Sequence, residues 1–253
     1  MDCDNSKPKP NEDEQHKDAG SAQYGNFINY YQFNSAEKRI DLLPDSIWKR
    51  SSSGSSPIND NRYIVLDIGC NAGNLTQILY EYLVQHTGQN VHILGIDIDP
   101  LLIDRCIQHN QHGANVKYEC WNIMEHSRED SLTDYLKQFG RTRFDAVFSL
   151  SLTMWIHLNN GDSGLQSFLE KISNLGNLLV VEPQPWKCYL TAMKRMRRSG
   201  KTFERFKELT VRNDVEEWIQ STLVRDDVFR VIFQTTPTQW NRKICFYERI
   251  NER

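Results

Sequence analysis

The chain has 253 residues, 39% of them hydrophobic, and a formal net charge of −3. That is enough apolar material for one domain with a large core, and it excludes a protein drawn to nucleic acid by its overall field, so any basic surface must be local. The six cysteines, at 3, 70, 106, 120, 188 and 245, form no C-x-x-C pair, and neither a signal peptide nor an apolar run of membrane length is present; a zinc knuckle, a redox motif and a membrane span are set aside, and a soluble protein of a reducing compartment is expected.

Residues 1 to 22 are charged, polar and nearly free of large apolar groups, which predicts a disordered tail. The folded domain is expected to run from 23 to 253, with order beginning where Tyr24, Phe27, Tyr30, Tyr31 and Phe33 crowd together. The serine-rich run Ser51–Pro57 reads as a flexible loop. From residue 62 the pattern alternates: strand 62–67, helix 73–86, strand 91–96, helix 99–111, strand 115–121, a helix near 129–139, strand 143–150. A polar loop and a helix near 163–174 follow, then strand 177–182. Two or three helices come after residue 186, and strands 227–234 and 241–249 flank a turn, which makes them an antiparallel pair. Apolar strands alternating with helices predict βαβ units and a doubly wound, mostly parallel, Rossmann-like α/β sheet. Such sheets bind ligands beyond the carboxyl ends of their strands, where strand order reverses.

The run Arg62-Tyr-Ile-Val-Leu-Asp-Ile-Gly-Cys-Asn-Ala-Gly73 carries the strongest chemical signal. A strand ends in Asp67, turns at Gly69 and reaches Gly73 as a helix starts. A second strand ends in Asp97, an acid placed for ribose hydroxyls. Asn71 stands where a pyrophosphate-binding turn prefers glycine. A side chain there fits better with a cofactor bearing an amino-acid tail, such as S-adenosylmethionine, with Asp67 near the positive end of that tail. Asp99 before Pro100 reads as a helix N-cap, which leaves Asp97 as the ribose acid. Asn122 is read either as an adenine contact, with Ile123 packing on the ring, or as a turn residue. His109-x-x-His112 lacks acidic or thiol ligands nearby and reads as a helix end, so no metal is expected.

Two longer motifs, Ser151-Leu-Thr-Met-Trp-Ile-His-Leu-Asn-Asn-Gly-Asp162 and Glu182-Pro-Gln-Pro-Trp-Lys-Cys-Tyr189, resemble the signatures of the bicoid-interacting-type RNA methyltransferases. So do Gln23-Tyr-Gly-Asn-Phe-Ile-Asn-Tyr-Tyr31, Leu66-Asp-Ile-Gly-Cys-Asn71 and Gly95-Ile-Asp-Ile-Asp-Pro100. The resemblance covers roughly residues 23 to 249 and implies a class I methyltransferase fold. It implies methylation of a phosphate at the 5′ end of RNA, with S-adenosylmethionine contacts at Arg39, Asn71, Asp97, Asn122, Ile123 and Leu150. The group that caps small nuclear RNAs at the γ-phosphate carries lysine in the Ser-Leu-Thr-x-Trp motif. Met154 stands there in this chain, which favours the group acting on 5′-monophosphates, including histidine tRNA and microRNA precursors. Asn122 stands where that group often has an acid.

For the RNA phosphate the candidates are His157, Asn159 and Lys187, with Tyr24 and Tyr30 or Tyr31 closing over the site and stacking on the terminal base. The bland reading of His157 is a buried, hydrogen-bonded loop residue. Trp155 and Trp186 read as core, and Glu182 as an organiser of the Pro-Gln-Pro loop. Residues 187 to 207 hold eight Lys or Arg against one acid, Glu204, with Tyr189, Met193 and Met196 spaced as a buried stripe; the opposite face reads as an RNA-tracking surface. The expected partner is a small RNA with a 5′-monophosphate, bound by a monomeric cytoplasmic enzyme with no membrane contact. A nicotinamide oxidoreductase shares the glycine turn but is disfavoured by Asn71 and by the missing Tyr-x-x-x-Lys pair. A non-catalytic RNA-binding protein is disfavoured by the intact turn and Asp97.

Overall fold

Each apolar run from residue 62 onward forms a strand, and each strand of the first five is followed by a helix. The computed structural model describes residues 23–27, 30–33, 35–49, 61–125 and 129–250; the expectations for the first 22 residues and for the serine-rich loop fall outside these. The strands are β1 (Arg62–Ile68), β2 (Asn90–Asp97), β3 (Val116–Cys120), β4 (Phe144–Leu150), β5 (Gly176–Glu182), β6 (Phe229–Gln234) and β7 (Cys245–Arg249). The helices are α1 (Tyr30–Phe33), α2 (Ala36–Ile40), α3 (Asn74–Thr87), α4 (Pro100–Gln108), α5 (Glu129–Lys137), α6 (Thr153–Leu175), α7 (Trp186–Arg198) and α8 (Val215–Leu223).

The seven strands form one sheet in the order β3-β2-β1-β4-β5-β7-β6. The first five are parallel, and β7 lies antiparallel to both β5 and β6. Strand order reverses between β1 and β4, and that reversal opens a crevice at their carboxyl ends. Alternation along β1 sends Ile64, Leu66 and Ile68 to a core shared with α5, α6, α7 and α8, while Val65 faces a second core with α3, α4 and Trp48. Both faces are covered, which is why the central strands read as continuous apolar runs.

The helix starts follow local chemistry. Asp99 Oδ1 accepts the Leu101 amide at 2.9 Å, with Pro100 in the first turn of α4. Gly73, at φ 80°, opens α3 in the left-handed region, and a Cβ there would lie 2.9 Å from the Tyr118 hydroxyl. Its role is thus close helix–sheet packing.

The predicted polar loop after β4 is a correction. Residues 153 to 160 are helical, and α6 continues to Leu175 across a break at Gly161 (φ 75°, ψ −177°). Burial overrides the local polarity, because Thr153, Met154, Trp155, Ile156, His157 and Leu158 are all buried. The Nδ2 groups of Asn159 and Asn160 donate to the carbonyls of Trp155 and Ile156, one turn back. The helix start is capped from another segment: Gln184 Oε1 accepts from the Met154 amide and the Thr153 hydroxyl, each at 3.0 Å. A cap supplied from 30 residues away leaves no signature in the local sequence.

Candidate active site

A cleft of about 250 Å³ lies over the carboxyl ends of β1, β2 and β4, and its lining includes Asp67, Gly69, Asn71, Asp97, Asn122, Ile123 and Leu150. The glycine turn is docked on β2, since the amides of Gly69 and Cys70 both donate to the Ile96 carbonyl, at 2.8 and 3.0 Å. Asn71 is left-handed (φ 53°), a conformation asparagine tolerates well. Its amide donates to Asp97 Oδ2 at 2.9 Å, and the Asp99 amide donates to Asp97 Oδ1 at 3.0 Å. The glycine turn thus orients the second-strand acid. Burial raises the Asp97 carboxyl above its usual value, against these hydrogen bonds.

Asp67 accepts the Thr76 hydroxyl at 2.7 Å. Burial pushes its carboxyl up to about 6; the Thr76 bond opposes the shift, and the neighbouring Asp97 adds to it. Two buried acids in one wall suit a ligand with a cationic end. Asn122 Oδ1 accepts the Met124 amide at 3.1 Å, the geometry of a turn residue, while the residue also lines the cleft.

The opposite wall is cationic. Arg39 is 1% exposed, and its Nη2 donates to the Tyr30 hydroxyl, to Ser151 Oγ and to Glu182 Oε2 at 2.7, 2.8 and 2.9 Å. Trp240 packs on the guanidinium, 4.9 Å from carbon to ring centre, and donates its indole N–H to Glu182 Oε1 at 2.8 Å. Ser151 is left-handed (φ 57°) and donates to Glu182 at 2.5 Å. Glu182 therefore holds the wall together, and Gln184 from the same loop caps α6. Both fit the reading of the Glu-Pro-Gln-Pro segment as an organiser.

Residues 23 to 27 form a strap over this cleft. Asn71 Nδ2 donates to the Phe27 carbonyl at 3.0 Å, Asn26 Nδ2 to Asp99 Oδ2 at 2.6 Å, and Asn159 Nδ2 to the Gln23 carbonyl at 2.8 Å. Gly25 (φ 72°) lies so close to Trp155 that a Cβ would meet the indole at 2.2 Å. Tyr24, 44% exposed, lines the mouth.

The sequence-predicted residues divide clearly. Arg39, Asp67, Gly69, Asn71, Asp97, Asn122, Ile123, Leu150, Asn159 and Tyr24 converge on the cleft, and Gly73, His157 and Lys187 do not line it. His157 lies in α6, fully buried, with Nδ1 3.0 Å from the Tyr189 hydroxyl and Nε2 2.6 Å from Asp162. Burial lowers its pKa, although Asp162 pulls the other way. Both ring nitrogens are engaged, so it ties the two halves of α6 to α7. Lys187 is exposed in the first turn of α7. Sequence reasoning gave no role to Ser151, which lines the cleft, or to Trp240 and Arg242, which lie outside its lining and contact Arg39 and Ser151. Ser151 opens a motif the sequence does show, but nothing in the local pattern marks Trp240 or Arg242, because their partners lie far away in the chain.

The residues present fit a nucleoside cofactor with an amino-acid tail. Three buried polar atoms without partners, Arg39 Nε, Trp121 Nε1 and Asn26 Oδ1, belong to residues lining the cleft. Unmet donors and acceptors there suit a polar ligand. Among the described residues no cluster of three metal-ligating side chains occurs, and no helix is long and apolar enough to cross a membrane.

Comparison with known proteins agrees with this geometry. Residues 144–249 match the Bicoid-interacting protein 3 family, and residues 66–177 match a methyltransferase domain. A pre-miRNA 5′-monophosphate methyltransferase from Xenopus laevis is 39% identical over 246 residues, covering 92% of this chain and 94% of that protein. An RNA 5′-monophosphate methyltransferase from Bos taurus is 36% identical over 241 residues, covering 90% and 81%. In fold, the chain is similar to an O-methyltransferase family protein from Burkholderia thailandensis, with a TM-score of 0.54 at 11% identity over 89% of this chain and 58% of that one. With the acid wall, the capped signature helix and these relatives together, the chain belongs to the Bicoid-interacting protein 3 family of S-adenosylmethionine-dependent methyltransferases.

Proposed function

We propose that this protein is an RNA 5′-phosphate O-methyltransferase acting on the 5′-monophosphate of small RNAs. The observation that carries the reading is one cleft lined by buried acids at the ends of β1 and β2 and by the buried Arg39 guanidinium beside the ends of β4 and β5. The names of the Xenopus and Bos relatives support the same substrate class, and the first of them names a microRNA precursor.

When bound, the cofactor supplies an electrophilic methyl group on a sulfonium, so that an O–CH₃ bond forms as the S–CH₃ bond breaks and its electron pair stays on sulfur. On the protein side, Asp97 is suited to ribose hydroxyls and Asp67 to the tail ammonium. Ile123 and Leu150 offer apolar contact to the purine. Arg39 Nη2 is already engaged within the wall, which leaves Nε for the tail carboxylate.

A phosphate monoester has a second pKa near 6 and is mostly dianionic at neutral pH. The nucleophile needs no strong base, and positioning is what the protein must provide, worth roughly 7–11 kcal/mol when reactants are well aligned. The neutral, fully engaged His157 fits this requirement as a support rather than a base.

The exposed face of α7 extends the cationic wall. Lys194, Arg195, Arg197 and Arg198 are exposed opposite the buried Tyr189, Met193 and Met196. Arg195 packs over the Phe27 ring, 4.8 Å from its centre, so this basic face adjoins the strap. A basic surface beside the cleft mouth suits the phosphates that follow a 5′ end.

The decisive measurement is transfer of labelled methyl from S-adenosylmethionine to a 5′-phosphorylated RNA, with the same RNA bearing a 5′-hydroxyl as control. Label on the phosphorylated strand alone is expected. No transfer, or equal transfer to both strands, would overturn the reading.

A further inference from the structure

Resting on the phosphate-methylating reading above, we propose that Arg242, in the turn between β6 and β7, is the specificity-determining contact for the RNA 5′-phosphate. The argument begins with Ser151. A hydroxyl has one donor and two acceptor positions, and Ser151 Oγ has all three filled: it donates to Glu182 and accepts from Arg39 at 2.8 Å and from Arg242 Nη1 at 2.7 Å. Two guanidiniums thus converge on one side chain at the rim of the cleft.

Their charges are balanced unequally. Arg39 has Glu182 at 2.9 Å. Glu182 also takes Ser151 on the same oxygen and Trp240 on the other, and no Arg242 nitrogen pairs with it directly. For Arg242 the contacts are neutral: Ser151 Oγ and, from Nη2, the Cys188 sulfur at 3.7 Å. Its Nε is buried without a partner. A half-buried guanidinium with neutral contacts and an unmet donor is a site lacking its anion.

Its backbone is held for the task. The Arg242 amide donates to Thr238 Oγ1 at 3.1 Å, and the Thr238 amide donates to the Arg242 carbonyl at 2.7 Å. Three cations stand together here: Lys243, Lys187 and Arg242 all act electrostatically on Glu216, whose carboxyl is nevertheless raised by burial and by Glu217. Lys187, outside the cleft lining, therefore stands on the same side as Arg242. A planar fork suits the oxygens of a phosphate, and the position next to Ser151 lies at the carboxyl end of β4, away from the acid wall that suits the cofactor.

The test is binding, read with and without the terminal phosphate. A short RNA with a 5′-monophosphate and the same RNA with a 5′-hydroxyl are titrated into the full-length protein and into Arg242→Gln, which keeps an N–H donor for Ser151 but removes the charge. S-adenosylhomocysteine affinity is measured beside them by calorimetry. The variant is expected to lose roughly tenfold or more in affinity for the phosphorylated RNA, to bind the hydroxyl RNA as before, and to keep its affinity for S-adenosylhomocysteine. A phosphate-to-hydroxyl ratio unchanged in the variant overturns the assignment. So does a parallel loss of S-adenosylhomocysteine affinity, which would mark Arg242 as serving the cofactor carboxylate. If Arg242→Gln does not fold, Arg242→Met, which also removes the charge while keeping an unbranched apolar stem, carries the same comparison, and an undiminished ratio overturns the assignment there too. Equal binding of both RNAs by the unmodified protein sinks the functional reading itself, and is seen without any variant.

Discussion

The wall formed by the ends of β1, β2 and β3 and the wall formed beside β4 and β5 differ in how their parts are held. In the first, every principal residue lies between Asp67 and Ile123, and the key carboxylate, Asp97, is fixed by backbone amides of Asn71 and Asp99. In the second, Arg39, Ser151, Glu182, and the pair Trp240 and Arg242 come from four separate segments and are joined by side-chain bonds. Backbone amides are present whatever the side chains, so the acid wall tolerates change piece by piece. The cationic wall is built round one buried ion pair, Arg39 with Glu182, in which removing the carboxylate strands the guanidinium.

The sharpest way to break this contrast is Glu182→Ala. It leaves Arg39 buried at 1% exposure without its carboxylate, and the expected loss of stability is about 3–5 kcal/mol, read as a lower urea midpoint at unchanged slope. A loss below about 1 kcal/mol, the range of exposed pairs, would show that the wall is not built round this pair.

On the acid side, Asp97→Ala is expected to abolish cofactor binding but does not leave the fold untouched, since two amides lose their acceptor at about 1–3 kcal/mol each. Asp97→Asn keeps one acceptor and isolates the ligand effect. Its cofactor affinity should fall on the order of tenfold to a hundredfold with a much smaller stability change than Glu182→Ala. Calorimetric titration showing unchanged affinity would remove Asp97 from the site.

The smallest effect concerns pH. Burial first, then Asp97, holds Asp67 raised to about 6 against the Thr76 bond. A raised carboxyl favours its protonated form in the folded state, so its contribution to stability falls as pH rises from near 4 through 6. Cofactor binding has the opposite sign: a cationic tail favours the ionised carboxylate, so affinity should decline as pH falls through about 6, by at most tenfold per pH unit. Asp67→Asn should flatten that decline. An unaltered profile would place the tail ammonium elsewhere.

Legibility followed the same division. The strand ends Asp67 and Asp97, the Asp99 cap and the Tyr189–Met193–Met196 stripe could all be read from spacing alone, because each depends on neighbours a few residues away. The second half of helix α6 was legible as well, but its first half, 153 to 160, was not, because its opening turn is buried and capped by Gln184. His157 looked like a phosphate ligand from its motif, yet both its nitrogens are engaged by Tyr189 and Asp162. Arg39 would pass for a surface residue without the family resemblance, and its burial depends on Glu182 and Trp240.

Hydropathy period and turn chemistry, which act over one strand or one helical turn, were enough to determine the sheet, its ligand-binding edge and the acids along it. Which side chains meet across that edge was decided by tertiary structure alone. Buried charges settle where their partners are, and those partners arrive from β4, β5 and the β6–β7 turn only once the sheet has closed.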